Sequence, residues 1–226
     1  MSNGSFNFNN LIKESKDSLF NPKAYFASMK TEGGLGEPIL KALVYGVIAG
    51  IFALLWGLLK VGAVTGGLFG SAVGVMAFIW AIIGAIIGLF IGAIIVLVLS
   101  AICGGKTDFE PSMRVTASLM VLMPISAFFG FASGISSVLG AVITLIINLY
   151  GIWMLYHALV QSLKAKESTT KVIGIVLVVI AAIMLIIGLT ARRAADRYMD
   201  RWGTDIESLE KDLKQSLEEL EDSGND

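Results

Sequence analysis

The sequence predicts an all-α fold, a polytopic transmembrane helical bundle with amphipathic helices at both ends. Hydrophobic residues fill 55% of its 226 positions and charged residues only 15%, where a soluble domain carries roughly a quarter. Mean hydropathy is +0.78. The net charge of −1 conceals a third observation, that charged residues sit almost wholly in the first 41 positions, in short connectors and after Thr190. So few charges cannot clothe a water-soluble globule, and the distribution is that of a bundle with wet ends.

Phe8, Leu11, Ile12, Leu19 and Phe20 fall near helical spacing, with Lys13, Glu14, Lys16 and Asp17 on the other face. This reads as a short helix on the membrane surface, with a disordered polar tail as the alternative. It should stop at Asn21, which can cap a second helix beginning at Pro22. Tyr25, Phe26 and Met29 would then lie together at the headgroups, with Lys23 and Lys30 exposed. Gly33, Gly34 and Gly36 break the chain, and Glu37-Pro38 starts the next helix. Residues 1–38 are therefore read as a cytoplasmic N-terminal segment, 39–190 as the bundle and 191–226 as a C-terminal extension. No cleavable signal is expected, so the first span must do its own targeting.

A hydrocarbon core of about 30 Å asks for about 20 apolar residues per helix. Spans are expected near Ile39–Leu59, Leu68–Ile102, Arg114–Ile135, Val138–Leu163 and Val172–Thr190. The second stretch is long for one upright helix and short for two with a turn. One tilted span with an interfacial turn near Gly66–Ser71 is favoured, making five; two spans there would make six. With five, the side holding the N-terminus collects ten Lys and Arg residues from the first 41 positions and the second and fourth connectors. That places the N-terminus in the cytoplasm of a plasma-membrane protein. Arg192 and Arg193, just after the last span, oppose a translocated tail.

From Gly203 onward nine acids face two lysines. Thr204 and Glu207 form a capping box, and Ile206, Leu209, Leu213, Leu217 and Leu220 make one apolar stripe at helical spacing. An acidic helix binds anionic lipid poorly, so this one suits a protein partner or a second copy, with a solvated, frayed helix as the alternative.

Reaction chemistry is sparse. The sequence lacks HExxH, GxSxG, Walker A and GxGxxG signatures, and its one histidine, His157, has no acid near it in sequence. No catalytic residue, cofactor, metal or nucleic-acid partner is expected. Cys103 has no metal-ligating company and reads as a small apolar residue at a span end.

Polar residues inside a bilayer are functional candidates because desolvating them is costly. The fourth span carries Thr144, Asn148, Tyr150, His157 and Gln161. Tyr150, His157 and Gln161 fall within about 40° of one another around a helix, with Asn148 opposite. This stripe could line a polar path or bind a headgroup; alternatively His157 and Gln161 are interfacial and Asn148 bonds to another helix. In the second stretch Gly70, Gly74, Ala77, Ala81, Gly84, Gly88 and Gly92 form a small-residue face suited to packing within the bundle or between two copies. Pro124, with Gly130 and Gly134 behind it, should bend the third span.

The order of these parts resembles the prokaryotic branch of the Yip family, membrane proteins named for interaction with Ypt/Rab GTPases. The resemblance rests on Asn21-Pro22 with Tyr25-Phe26, the Gly-rich turn ending in Pro38, and five spans. It also rests on Arg114-Val115-Thr116 leading into the span with Pro124, and on His157-Ala158 before Lys164-Ala165. It covers roughly residues 15–190 and implies a five-helix integral membrane fold with a cytoplasmic N-terminal segment. The eukaryotic Asp-Leu-Tyr-Gly-Pro element is echoed only by Leu35-Gly36-Glu37-Pro38, and a Gly-Tyr element is not evident in Thr116-Ala117-Ser118. No partner-binding residue is carried over. The expected function is a non-enzymatic scaffold or adaptor for protein or lipid partners; the alternative is a small transporter, channel or lipid-translocating protein.

Overall fold

The computed structural model describes residues 8–59, 61, 70–188 and 190. The apolar stripe from Ile206 to Leu220 lies outside them. The chain divides into two compact units, Met1–Ala182 and Ile183–Asp226. In the second, the described residues, 183–188 and 190, are helical.

Two short helices come first, α1 (Phe8–Phe20) and α2 (Pro22–Ser28). Asn21 separates them, its side chain accepting from the Ala24 N–H while Pro22 opens the helix, the arrangement expected from Asn-Pro. A turn through Gly33 and Gly34, with φ of 134° and 90°, then delivers the chain to α3 (Gly36–Leu58). Only glycine adopts such values without strain.

The next helix, α4 (Gly70–Ile102), runs unbroken for 33 residues, or roughly 50 Å. The second apolar stretch is therefore one span, and the six-span alternative is set aside. Among the described residues five helices are long and apolar enough to cross a membrane.

The third span is interrupted twice. It comprises α5 (Phe109–Leu119), α6 (Leu122–Phe128), a 3₁₀ turn (Phe129–Phe131) and α7 (Ala132–Ile135). The first break, at Met120–Val121, lies one turn before Pro124. Proline has no N–H to offer the Met120 carbonyl and its ring crowds that oxygen; the Met123 N–H takes the carbonyl instead at 2.9 Å. At the second, Trp56 of α3 donates its indole N–H to the Ala127 carbonyl at 2.9 Å. Ser136 caps the fourth span, α8 (Ser137–Gln161), and the fifth, α9, runs Glu167–Gly188.

The N-terminal helices, the α4–α5 connector and the α8–α9 connector gather at one end, as five crossings require. Ser162 Oγ donates to the Phe26 carbonyl at 2.6 Å. The two connectors are sewn together by Lys166 N–H to Cys103 C=O at 2.9 Å and Lys106 N–H to Leu163 C=O at 2.7 Å. The main core lies at this end, with Leu11, Phe26, Tyr45, Cys103, Val115, Met154 and Leu163 all buried. The outer face of α4 exposes Ile83, Ile87, Ile91, Ile94 and Ile95, where lipid replaces water as the solvent.

The N-terminal helices do not merely rest at headgroup level. Phe26 is 1% exposed and Leu11 4%, because both insert among α3, α5 and α8 instead of spreading over lipid. Phe8, Ile12 and Phe20 remain exposed, so the apolar residues of α1 serve two directions.

Candidate functional site

Five charged side chains lock the N-terminal helices to the start of two spans. Lys41, in the second turn of α3, bonds to Glu14 of α1 and lies 3.0 Å from Glu37, one turn back on its own helix. Arg114 of α5 lies 2.9 Å from Glu37 and 3.2 Å from Glu110. Its remaining nitrogen donates to the Gly34 carbonyl at 2.9 Å, and Glu110 accepts from the Gly34 N–H at 2.6 Å. Glu37 thus bridges both cations. The side chains of Lys41 and Arg114 are 11% and 5% exposed, a placement tolerable only because every charge is paired and hydrogen-bonded. A Cβ on Gly33 would stand 2.8 Å from the Arg114 guanidinium, so the turn's close approach also requires glycine.

Hydroxyl contacts flank this network. Tyr25 meets Ser118 at 2.9 Å and Ser15 meets Tyr45 at 2.6 Å. Tyr150 donates to the Leu19 carbonyl, tying α8 to the end of α1. Burial pushes the Tyr25 phenol above its ordinary value, against the opposing pull of the Lys41 ammonium.

Above the network lies a cavity of about 840 Å³ walled by α1, α2, the glycine turn, α3 and α5. Its lining includes Lys13, Asp17, Lys30, Tyr25 and Ser118 besides the paired charges, with Leu11, Met29, Pro38 and Leu40 supplying an apolar wall.

Residues 16–189 match the family model of the Yip1 domain. The chain belongs to the Yip family. The Yip1 domain so defined takes in all five spans and every member of the charge network except Glu14. No curated protein sequence matches the chain, and no solved structure does.

Within this Yip1 domain the polar residues of the fourth span are dispersed. Asn148 is exposed on the outside of α8, and neither its side chain nor that of Gln161 has a partner among the described residues. Tyr150 turns inward to α1, while His157 packs edge-on against Trp153 and Tyr156, with centroids 4.9 and 5.2 Å away. The small-residue face is divided as well. A Cβ on Gly74 would stand 3.5 Å from the Leu54 carbonyl and one on Gly92 2.7 Å from the Thr116 methyl of α5, while Ala77 and Ala81 are half-buried. Gly84 and Gly88 face outward with nothing close. The buried line of α4 runs one residue later, through Ala85, Leu89 and Ala93. The glycines that admit it lie on α3, where a Cβ on Gly46 would sit 2.7 Å from Ala85 Cβ and one on Gly50 2.8 Å from the Phe78 ring.

The long-range bonds of the charge network, Glu14–Lys41 and Glu37–Arg114, have no local signature in the sequence. Glu37–Lys41 and Glu110–Arg114, each an i,i+4 pair at the start of an apolar helix, were the available signal.

Proposed function

We propose that this Yip-family protein is a non-enzymatic membrane scaffold or adaptor, working at the plasma membrane with its N-terminus in the cytoplasm. One observation carries the reading: the N-terminal segment is a built platform, fastened to the spans by the Lys41–Glu37–Arg114 network. Outward from it stand Phe8, Ile12 and Phe20 beside Lys16, a mixed apolar and basic surface suited to a protein or lipid partner. A second copy could be held by the outward Gly84 and Gly88 or by the Ile206–Leu220 stripe.

Affinity capture and crosslinking from mild-detergent membranes test this. The triple Phe8→Ser, Ile12→Ser, Phe20→Ser variant and a chain ending at Gly203 should insert normally, and at least one should lose its partner or self-association. Unchanged association in both would sink the scaffold reading. The twice-broken third span favours a transporter or lipid-translocating protein as the second reading. Flux in proteoliposomes that falls on Pro124→Ala, His157→Ala or Asn148→Ala would support it.

A further inference from the structure

We propose that the cavity under the N-terminal helices binds a phosphate-bearing headgroup, held between Lys13 and Lys30, with the glycerol and acyl portion of a phospholipid running down α3. The cavity's size falls in the roughly 300–1,000 Å³ range of small-ligand sites. Its deep cations are spent: Lys41 and Arg114 are neutralised by Glu14, Glu37 and Glu110. Lys13, on α1, and Lys30, just beyond α2, line the same cavity. Both are exposed, and neither has a partner among the described residues. Asp17 also lines the cavity and is exposed, one carboxylate against two unpaired ammonium groups on separate walls; that surplus favours a group with several anionic oxygens, and a lysine meets phosphate as a mobile point charge.

A separate observation favours a lipid over a soluble phosphate ester. Leu40 belongs to the cavity wall, and Leu43, Val47 and Ile51 continue from it along α3 at helical spacing. Leu43 is 37% and Ile51 52% exposed, with Leu40 and Val47 half-buried. This apolar track leads from the cavity into the membrane-spanning part of the helix, where an acyl chain would lie.

The inference rests on the scaffold reading only in treating this end as the partner-facing side. Lipid retention and protein association are separate readouts, so either can fail alone. The test compares the full chain in detergent micelles with Lys13→Gln/Lys30→Gln and with Lys106→Gln/Lys164→Gln, which removes the same charge from exposed connectors. Native mass spectrometry measures retention of dioleoyl-phosphatidylglycerol, dioleoylglycerol and sn-glycerol 3-phosphate. We expect phosphatidylglycerol retention to fall at least tenfold in the first double variant and less than twofold in the second, with dioleoylglycerol retained by neither. Glycerol phosphate bound as tightly as the lipid, and lost in the first variant alone, would keep the site and assign it to a soluble ester. Equal losses in both variants, or none in the first, would overturn the proposal, leaving only diffuse surface charge. Both lysines are unpaired, so their replacement leaves the folded core untouched.

Discussion

Arg114 and Glu37 approach to 2.9 Å across 77 positions of sequence, joining the first turn of the first span to the second turn of the third. The same Glu37 holds Lys41. Removing one member of a buried network leaves its partners uncompensated, whereas removing all of them together is far milder. Arg114→Met should therefore destabilise the protein by about 3 kcal/mol, read as a fall in thermal midpoint in detergent. Combining it with Glu37→Gln and Glu110→Gln should recover part of that loss.

Lys41 connects α1 to the bundle through Glu14. Lys41→Met should loosen α1 before anything else. Limited proteolysis should cut the chain within residues 8–20 faster than in the wild type, while cleavage at the α8–α9 connector stays unchanged. Equal protection of α1 would mean that Leu11 and the Ser15–Tyr45 bond suffice to hold it.

Glycines separate sharply by position. Gly46→Val drives a branched side chain against Ala85 and the Ala81 carbonyl and should destabilise by about 1–3 kcal/mol, the usual result of overpacking. Gly84→Ala and Gly88→Ala meet nothing within 4 Å and should leave the thermal midpoint unchanged or slightly raised.

Burial raises the Tyr25 pKa above 10.0, so the folded state favours the neutral phenol. The stability this contributes is fully present below the unfolded value of 10.0 and is lost as pH climbs through the folded one. An alkaline titration followed by near-ultraviolet absorbance should show a late tyrosinate component that Tyr25→Phe diminishes.

In a Cys103→Ser background, cysteines at Lys106 and Lys164 should react with an impermeant maleimide from one side of the membrane, and one at Ser136 from the other. Labelling of all three from a single side would contradict five crossings.

Much of the fold was legible because membrane burial imposes length and composition directly. The Asn21-Pro22 boundary could be read for the same local reason, since cap chemistry involves only neighbours. Where partners are distant the sequence was silent. Nothing near Phe26 announces Ser162, and nothing near Gly46 announces Ala85. The small-residue stripe of α4 is split between packed and outward positions because close packing is a property of two helices, and the glycines that admit Ala85 and Phe78 sit on α3. Pro124 marked the bend correctly in kind, yet the break falls at its i−4 carbonyl, before the proline itself. The charged cleft was legible only in halves: the i,i+4 pairs on α3 and α5 are local, but their meeting through Glu37–Arg114 and their link to Glu14 of α1 are not.

The hydrogen bond from Ser162 to the Phe26 carbonyl spans 136 positions, and that separation fixes an order of events during synthesis. Phe26 leaves the ribosome long before Met154, Leu159 and Leu163, buried members of the same core, have been made. The Phe26 end of α2 is thus closed over only after the fourth helix has been made, later than the Glu14–Lys41 and Ser15–Tyr45 bonds that fasten α1 to α3.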